Sequence, residues 1–120
     1  MKKCELRYAT REDWIQFYGE PPARTVRAVV GVKDGEIIGI GGIVFEEPFP
    51  RIFMELTDCA RTMKREIITG SRMIMDWMKQ NRQIVYAVAH DDRVAPVFLR
   101  HFGFKYQQTF SVGDVYIWRR

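Results

Sequence analysis

Cysteine and histidine are scarce in this chain of 120 residues: Cys4 and Cys59 are the thiols, and His90 and His101 the imidazoles. Two thiols make no disulfide framework, and no paired Cys/His spacing suggests zinc, so no metal is expected. They read as small reduced residues of a cytosolic protein. No apolar run approaches the roughly 20 residues of a membrane span. Met1-Lys2-Lys3 leads into no apolar signal region, so the expected location is the cytoplasm, with no membrane role. No long Lys/Arg run stands out as a nucleic-acid arm, and nucleic acid is not an expected partner. No repeat, low-complexity tract or linker marks a second domain, so residues 1–120 read as one domain with one core.

What remains is an ordinary globular composition, 47% hydrophobic and 28% charged, with a net charge of +4. The positive balance favours anionic partners, phosphates above all.

The chain opens with a short strand at residues 4–9. Thr10 caps a helix whose first turn carries Glu12 and Asp13. The helix holds Trp14, Ile15, Phe17 and Tyr18 and stops at Gly19-Glu20-Pro21-Pro22. Residues 26–33 form a strand, and Asp34-Gly35 supplies the positive φ angles of a tight hairpin. The return strand, 36–45, contains Gly39, Gly41 and Gly42. Glycines inside a strand mark close approach of another backbone or a ligand, or tight packing beneath a helix, and packing is the commoner reason. Glu46-Glu47-Pro48-Phe49-Pro50 is a loop, and 51–56 is the next strand. Residues 84–89 read as a buried strand, 94–102 as a helix ended by Gly103, and 104–109 and 115–118 as the last strands; Tyr86, Tyr106, Tyr116 and Trp118, at alternating strand positions, read as core. The order β-α-β-β-β-α-β-α-β-β predicts an α/β (α+β) fold. It has a mixed sheet of about six to seven strands and about three helices on both faces.

The stretch from Met54 to Gln80 organises the rest. A strand runs into a break at Thr57-Asp58-Cys59-Ala60, then a basic turn, Arg61 to Arg65. A helix follows from about Glu66 to about Gln80, with Ile67, Gly70, Ile74 and Trp77-Met78 on one face. The free N–H groups and dipole of a helix start favour an anion, and Arg61, Lys64 and Arg65 add full charges. A solvated basic turn explains the same residues.

Three local patterns carry a resemblance. They are Leu6-Arg7-Tyr8-Ala9-Thr10-Arg11-Glu12-Asp13, Asp34-Gly35-Glu36-Ile37-Ile38-Gly39-Ile40-Gly41-Gly42, and Ala95-Pro96-Val97-Phe98-Leu99-Arg100-His101-Phe102-Gly103-Phe104. With the element order, they make the chain similar to the GNAT superfamily of N-acetyltransferases over nearly its whole length. The resemblance implies acetyl-CoA as cosubstrate. It would lie in a cleft between the splayed strands 51–56 and 84–89, its pantetheine arm pairing with the backbone near Leu56. The pyrophosphate would meet Arg61, Thr62, Met63, Lys64 and Arg65. A primary amine, of a small molecule or of a protein, would then attack the thioester. Family members often dimerise, which suggests a homodimer.

The chain departs from the family pattern at two places. In the coenzyme turn, Arg/Gln-x-x-Gly-x-Gly/Ala, Arg61 takes the first position, and Lys64 and Glu66 replace the two glycines. Side chains there crowd the approach of backbone to phosphate, although Lys64 can itself contact it. In the late helix, Leu99 stands where the family often has a proton-donating Tyr, Phe98 precedes it, and Asp92 replaces an Asn. Glu55, at the end of the splayed strand, and His90, at the end of the next, are the candidate catalytic bases. Asp58 follows Glu55, and Glu46 and Glu47 lie in a loop that could bind an amine. Each has a plain reading as a solvated surface charge. Two functions follow: an N-acetyltransferase, or a catalytically degenerate GNAT-fold protein that binds CoA or a partner protein. Compact forms of this pattern also occur among phage-encoded proteins.

Overall fold

The computed structural model describes residues 4–89 and 94–120. Seven strands join in one sheet in the order β1-β2-β3-β4-β5-β7-β6. They are β1 (Glu5–Tyr8), β2 (Val26–Lys33), β3 (Glu36–Val44), β4 (Arg51–Leu56), β5 (Ile84–Ala89), β6 (Lys105–Phe110) and β7 (Gly113–Arg119). The helices are α1 (Arg11–Tyr18), α2 (Asp58–Arg61), α3 (Lys64–Asn81) and α4 (Val94–His101). All strand pairs are antiparallel except β4 with β5. A parallel pair needs a crossover, and α2 and α3 supply it.

The helices cover the sheet unequally. On one face α3 and α4 bury the larger core, in which Ile43, Met78 and Val85 are wholly excluded from solvent and Phe104 nearly so. On the other, Trp14, Phe17 and Tyr18 of α1 pack on Ala28, Val30, Ile37, Ile40 and Phe53. Eight residues of helix span only about 12 Å. Accordingly β5 alternates: Val85, Ala87 and Ala89 are buried under α3 and α4, while Tyr86 and Val88 are only partly buried. The expectation of a uniformly buried strand is corrected to that extent.

Two further expectations change. The basic turn is shorter than the sequence suggests, because Thr57 caps a one-turn helix, α2, through a bond to the Ala60 N–H, and α3 already begins at Lys64. The described residues therefore form four helices. Tyr106 is not a core residue: β6 is the edge strand, and Tyr106 is about half exposed, while Tyr116 and Trp118 on β7 are buried.

Local signals act as the residues dictate. Asp34 and Gly35 take φ of 55° and 78° in the β2–β3 turn. Thr10 and Asp13 form a reciprocal capping box at the start of α1, and Asp13 also accepts both guanidinium arms of Arg7 from β1. Asp13 is 6% exposed. The Arg7 guanidinium, aided by the Thr10 bonds, holds its carboxyl pKa at about 2 against an ordinary 3.8. A depressed carboxylate stabilises the fold fully above its unfolded value and loses that contribution as pH falls through its folded one. We therefore expect Asp13→Ala to lower stability by about 2 kcal/mol at neutral pH, since a charged hydrogen bond contributes roughly 1.5–3 kcal/mol. The gap to the native chain should close between about pH 4 and pH 2. Urea titrations at several pH values check both the size and the window.

Candidate functional site

β4 and β5 separate soon after they meet. Both strands are six residues long, yet only Arg51↔Tyr86 and Ile52↔Ala87 are in register. From Phe53 to Leu56, β4 stays paired with β3 along its other edge, Gly42↔Phe53 to Gly39↔Leu56. Among the described residues its β5-facing edge there has no strand partner, and such an edge can pair with an extended chain that offers amides.

The α2–α3 junction follows directly. Residues 62–63 separate the two helices, and Met63, the cap of α3, makes no side-chain bond to the first turn. The amide of Ile67 is the first bonded back, to the Met63 carbonyl at 3.0 Å. The preceding amides, of Lys64, Arg65 and Glu66, are those a helix start leaves free. Arg61, Lys64 and Arg65 are all exposed around this start.

Between α3 and the sheet lies an apolar cavity of about 190 Å³. Ile52, Met54, Leu56, Ala87, Phe98 and Leu99 line it at the splayed strands, and Leu6, Val29, Gly31 and Ile38 line it beneath α3. Its polar side chains are Cys4, Glu66 and Ser71. Burial, and after it the Glu66 charge, pushes the Cys4 thiol pKa up, so Cys4 stays a neutral wall.

On the α1 face, beside the β4–β5 junction, polar groups converge. The Arg51 guanidinium donates to Glu46 at 3.0 and 3.2 Å, and the Tyr86 hydroxyl donates to the same carboxylate. The Arg51 bonds hold the Glu46 pKa below the usual carboxylate range. Burial first, then Glu46, raises that of Tyr86. Next to this cluster Trp14, Tyr18, Arg24, Arg51, Phe53 and Glu55 surround a second depression of about 290 Å³. Burial raises the Tyr18 hydroxyl pKa well above the phenol range, and the Glu55 carboxylate adds to the effect. Among the described residues no group of His, Cys, Asp and Glu is placed to hold a metal.

No protein family and no curated protein matches the sequence. Solved structures do match. An acetyltransferase of the GNAT family from Staphylococcus aureus Mu50 superposes with a TM-score of 0.71 at 14% identity, over 98% of this chain and 99% of that one. The ribosomal-protein-S18-alanine N-acetyltransferase from Escherichia coli gives 0.68 at 10% identity, over 96% and 91%. The chain has the GNAT fold. The mixed sheet, the α3 crossover and the β4–β5 divergence are features of that fold here, and the sequence-based fold class stands.

The residues singled out from the sequence do not all meet at one place in this GNAT fold. Leu56 and Met63 line the cavity. Arg61, Thr62, Lys64 and Arg65 are exposed at the α2–α3 junction and do not line it. Lys64 and Glu66 stand in the first turn of α3, so helix replaces the glycine-containing turn of the family pattern. Glu55 opens onto the α1-side depression and not onto the cavity under α3, while His90 and Asp92 lie outside the described residues. Glu46 is committed to Arg51 and Tyr86 and is not a free amine-binding carboxylate. Leu99 is a buried core residue. The strand glycines differ in what surrounds them. Gly39 and Gly41 line the cavity, whereas a Cβ on Gly42 would collide with the β2 backbone. Sequence reading missed the link from Glu46 to Tyr86, because 40 residues separate them and neither carries a local signal.

Proposed function

We propose that this chain is a CoA-dependent N-acyltransferase that moves an acetyl group from acetyl-CoA to a primary amine in the cytosol. The observation that carries the reading is the two-pair β4–β5 junction, which leaves an unpaired β4 edge leading to the uncapped start of α3. The pantetheine amides would pair with that edge near Leu56, and the pyrophosphate would meet the α3 amides with Arg61 and Lys64 beside them. The amine would approach from the α1 face. The segment between α1 and β2, residues 19–25, is short and leaves that side open. This favours an amine presented by a peptide or protein over an enclosed small molecule.

The amine nitrogen attacks the thioester carbonyl, a C–N bond forms and the C–S bond breaks. Glu55, exposed at the end of β4, would take the amine proton. Phe98 and Leu99 carry no exchangeable proton, so the departing thiolate is protonated by water. Acetyl-CoA titrated into the purified protein by calorimetry, with CoA as control, should bind in the micromolar range. No heat up to millimolar acetyl-CoA would overturn the reading. Leu99 at the donor position also favours a second function, a CoA-binding protein without turnover. Binding with no thiol release across a panel of amines would select it.

A further inference from the structure

At the C-terminal end of α3 two arginines share one indole. The Arg27 guanidinium of β2 lies over the rings of Tyr8 and Trp77, 4.9 Å from each ring centre. The Arg82 guanidinium, just past α3, lies over Trp77 at 5.2 Å and over Phe45 at 4.9 Å. The register explains the meeting. Arg27 shares the α3 face of β2 with Val29, Tyr8 pairs with Val29 from β1, and Trp77 packs on the same core from α3. Elsewhere Arg7 and Arg51 are paired, with Asp13 and Glu46. Among the described residues Arg27 and Arg82 have no carboxylate partner. Arg82 donates one N–H to the Asn81 carbonyl at 2.8 Å. The Arg27 Nε is buried without a hydrogen-bond partner, alone in this among the side-chain atoms of the described residues. Arg120 adds a third charge at this end. Its amide is bonded to the Gln83 carbonyl at 2.9 Å, next to Arg82, and the residue is exposed. Like charges gathered this way repel. Rings cover only the faces of a guanidinium and leave its in-plane N–H groups, the part that matches phosphate oxygens. Packing explains the stack and leaves its cations without a counter-charge.

We propose that this end of the molecule binds the phosphodiester backbone of a single-stranded nucleic acid. Arg27, Arg82 and Arg120 each meet a phosphate, and Tyr8, 46% exposed, stacks a base. Charges and rings that alternate along a row fit a chain in which phosphates and bases alternate, whereas a compact anion needs no row. The arginines come from three separate segments, so no basic run marks them in the sequence. Trp77 is thirteen residues along α3 from Lys64, about 20 Å at the helical rise. The site is therefore separate from the start of α3 and independent of the coenzyme reading.

The test is fluorescence anisotropy of a short labelled oligouridine with the native chain at 50 and 200 mM salt. Three contacts with a single strand predict roughly a twentyfold loss of affinity between the two salts. Arg82→Gln should weaken binding about tenfold and flatten the salt dependence by about one phosphate. Arg82→Lys should keep the salt dependence and still lose affinity, because it lacks the planar fork. Arg27→Gln should repeat the Arg82→Gln result, and Arg120→Gln, at an exposed position, serves if Arg27→Gln does not fold. No binding at 50 mM salt overturns the proposal. An equal loss in Arg61→Ala/Lys64→Ala also overturns it, because the strand then follows net charge alone. Displacement by equimolar inorganic pyrophosphate overturns it in favour of a compact anion, and displacement by polyglutamate of matched charge overturns it in favour of an acidic protein.

Discussion

Replacing Arg61 and Lys64 together with alanine is expected to weaken acetyl-CoA binding about a hundredfold. Both side chains are exposed at the α2–α3 junction. Among the described residues, neither is engaged in an ion pair or a side-chain hydrogen bond, so both are available to a phosphate. A charged hydrogen bond contributes roughly 1.5–3 kcal/mol, and two at the lower value correspond to about two decades in Kd. The pair lies outside both cores, so its removal should leave the melting temperature nearly unchanged, which separates lost contacts from lost folding. The loss should shrink as salt is added, since exposed charges are screened beyond about 10 Å at 0.1 M. Calorimetry at two ionic strengths provides the check. Unchanged affinity would remove the junction from the binding site.

Gly42→Ala is expected to cost about 3 kcal/mol and to lower Tm by about 10 °C. Gly42 pairs with Ala28 across β2 and β3. A Cβ there would stand 2.1 Å from the Arg27 carbonyl oxygen and 2.6 Å from the Ala28 Cα. Those are backbone atoms of a central strand and cannot swing aside as a side chain would. Gly70→Ala is the matched control with the opposite sign. Its Cβ meets only ordinary contacts, and alanine is favoured over glycine inside a helix by up to about 1 kcal/mol. Thermal melts of the two variants beside the native chain decide the matter. Similar effects in both would mean that β2 and β3 are not packed as described.

The contrast between these glycines shows how much was legible in the residues. Asp34-Gly35 adopts the turn its φ preferences dictate, and Thr10 and Gly103 bound helices where caps were expected, because each signal is contained within a few residues. The order of elements was legible for the same reason, since hydrophobic period and punctuation are local, while the splayed pair of strands followed only from the resemblance to the GNAT superfamily. Other features depended on contacts between distant segments. Gly31 carried no signal in the sequence, and only the fold brings the Cys4 sulfur to 3.1 Å from where its Cβ would stand. The Arg51–Glu46–Tyr86 cluster joins a loop to two strands. The α2 turn is four residues long, too short for any periodicity, and Thr57 would cap a loop as readily as a helix. Leu99 was read as a missing donor, and the structure gives that leucine a positive role in the core that a tyrosine hydroxyl would disturb.

The two-pair junction has a mechanical consequence. The sheet is a continuous fabric of four strands on one side and three on the other, sewn together by Arg51↔Tyr86 and Ile52↔Ala87. Backbone tension across the molecule is carried at that narrow seam and by the crossover helix, not along a full strand edge. Any extended molecule that hydrogen-bonds to both free edges lengthens the seam and makes the halves melt as one. A protein built this way couples its own cooperativity to the supply of whatever fills the gap.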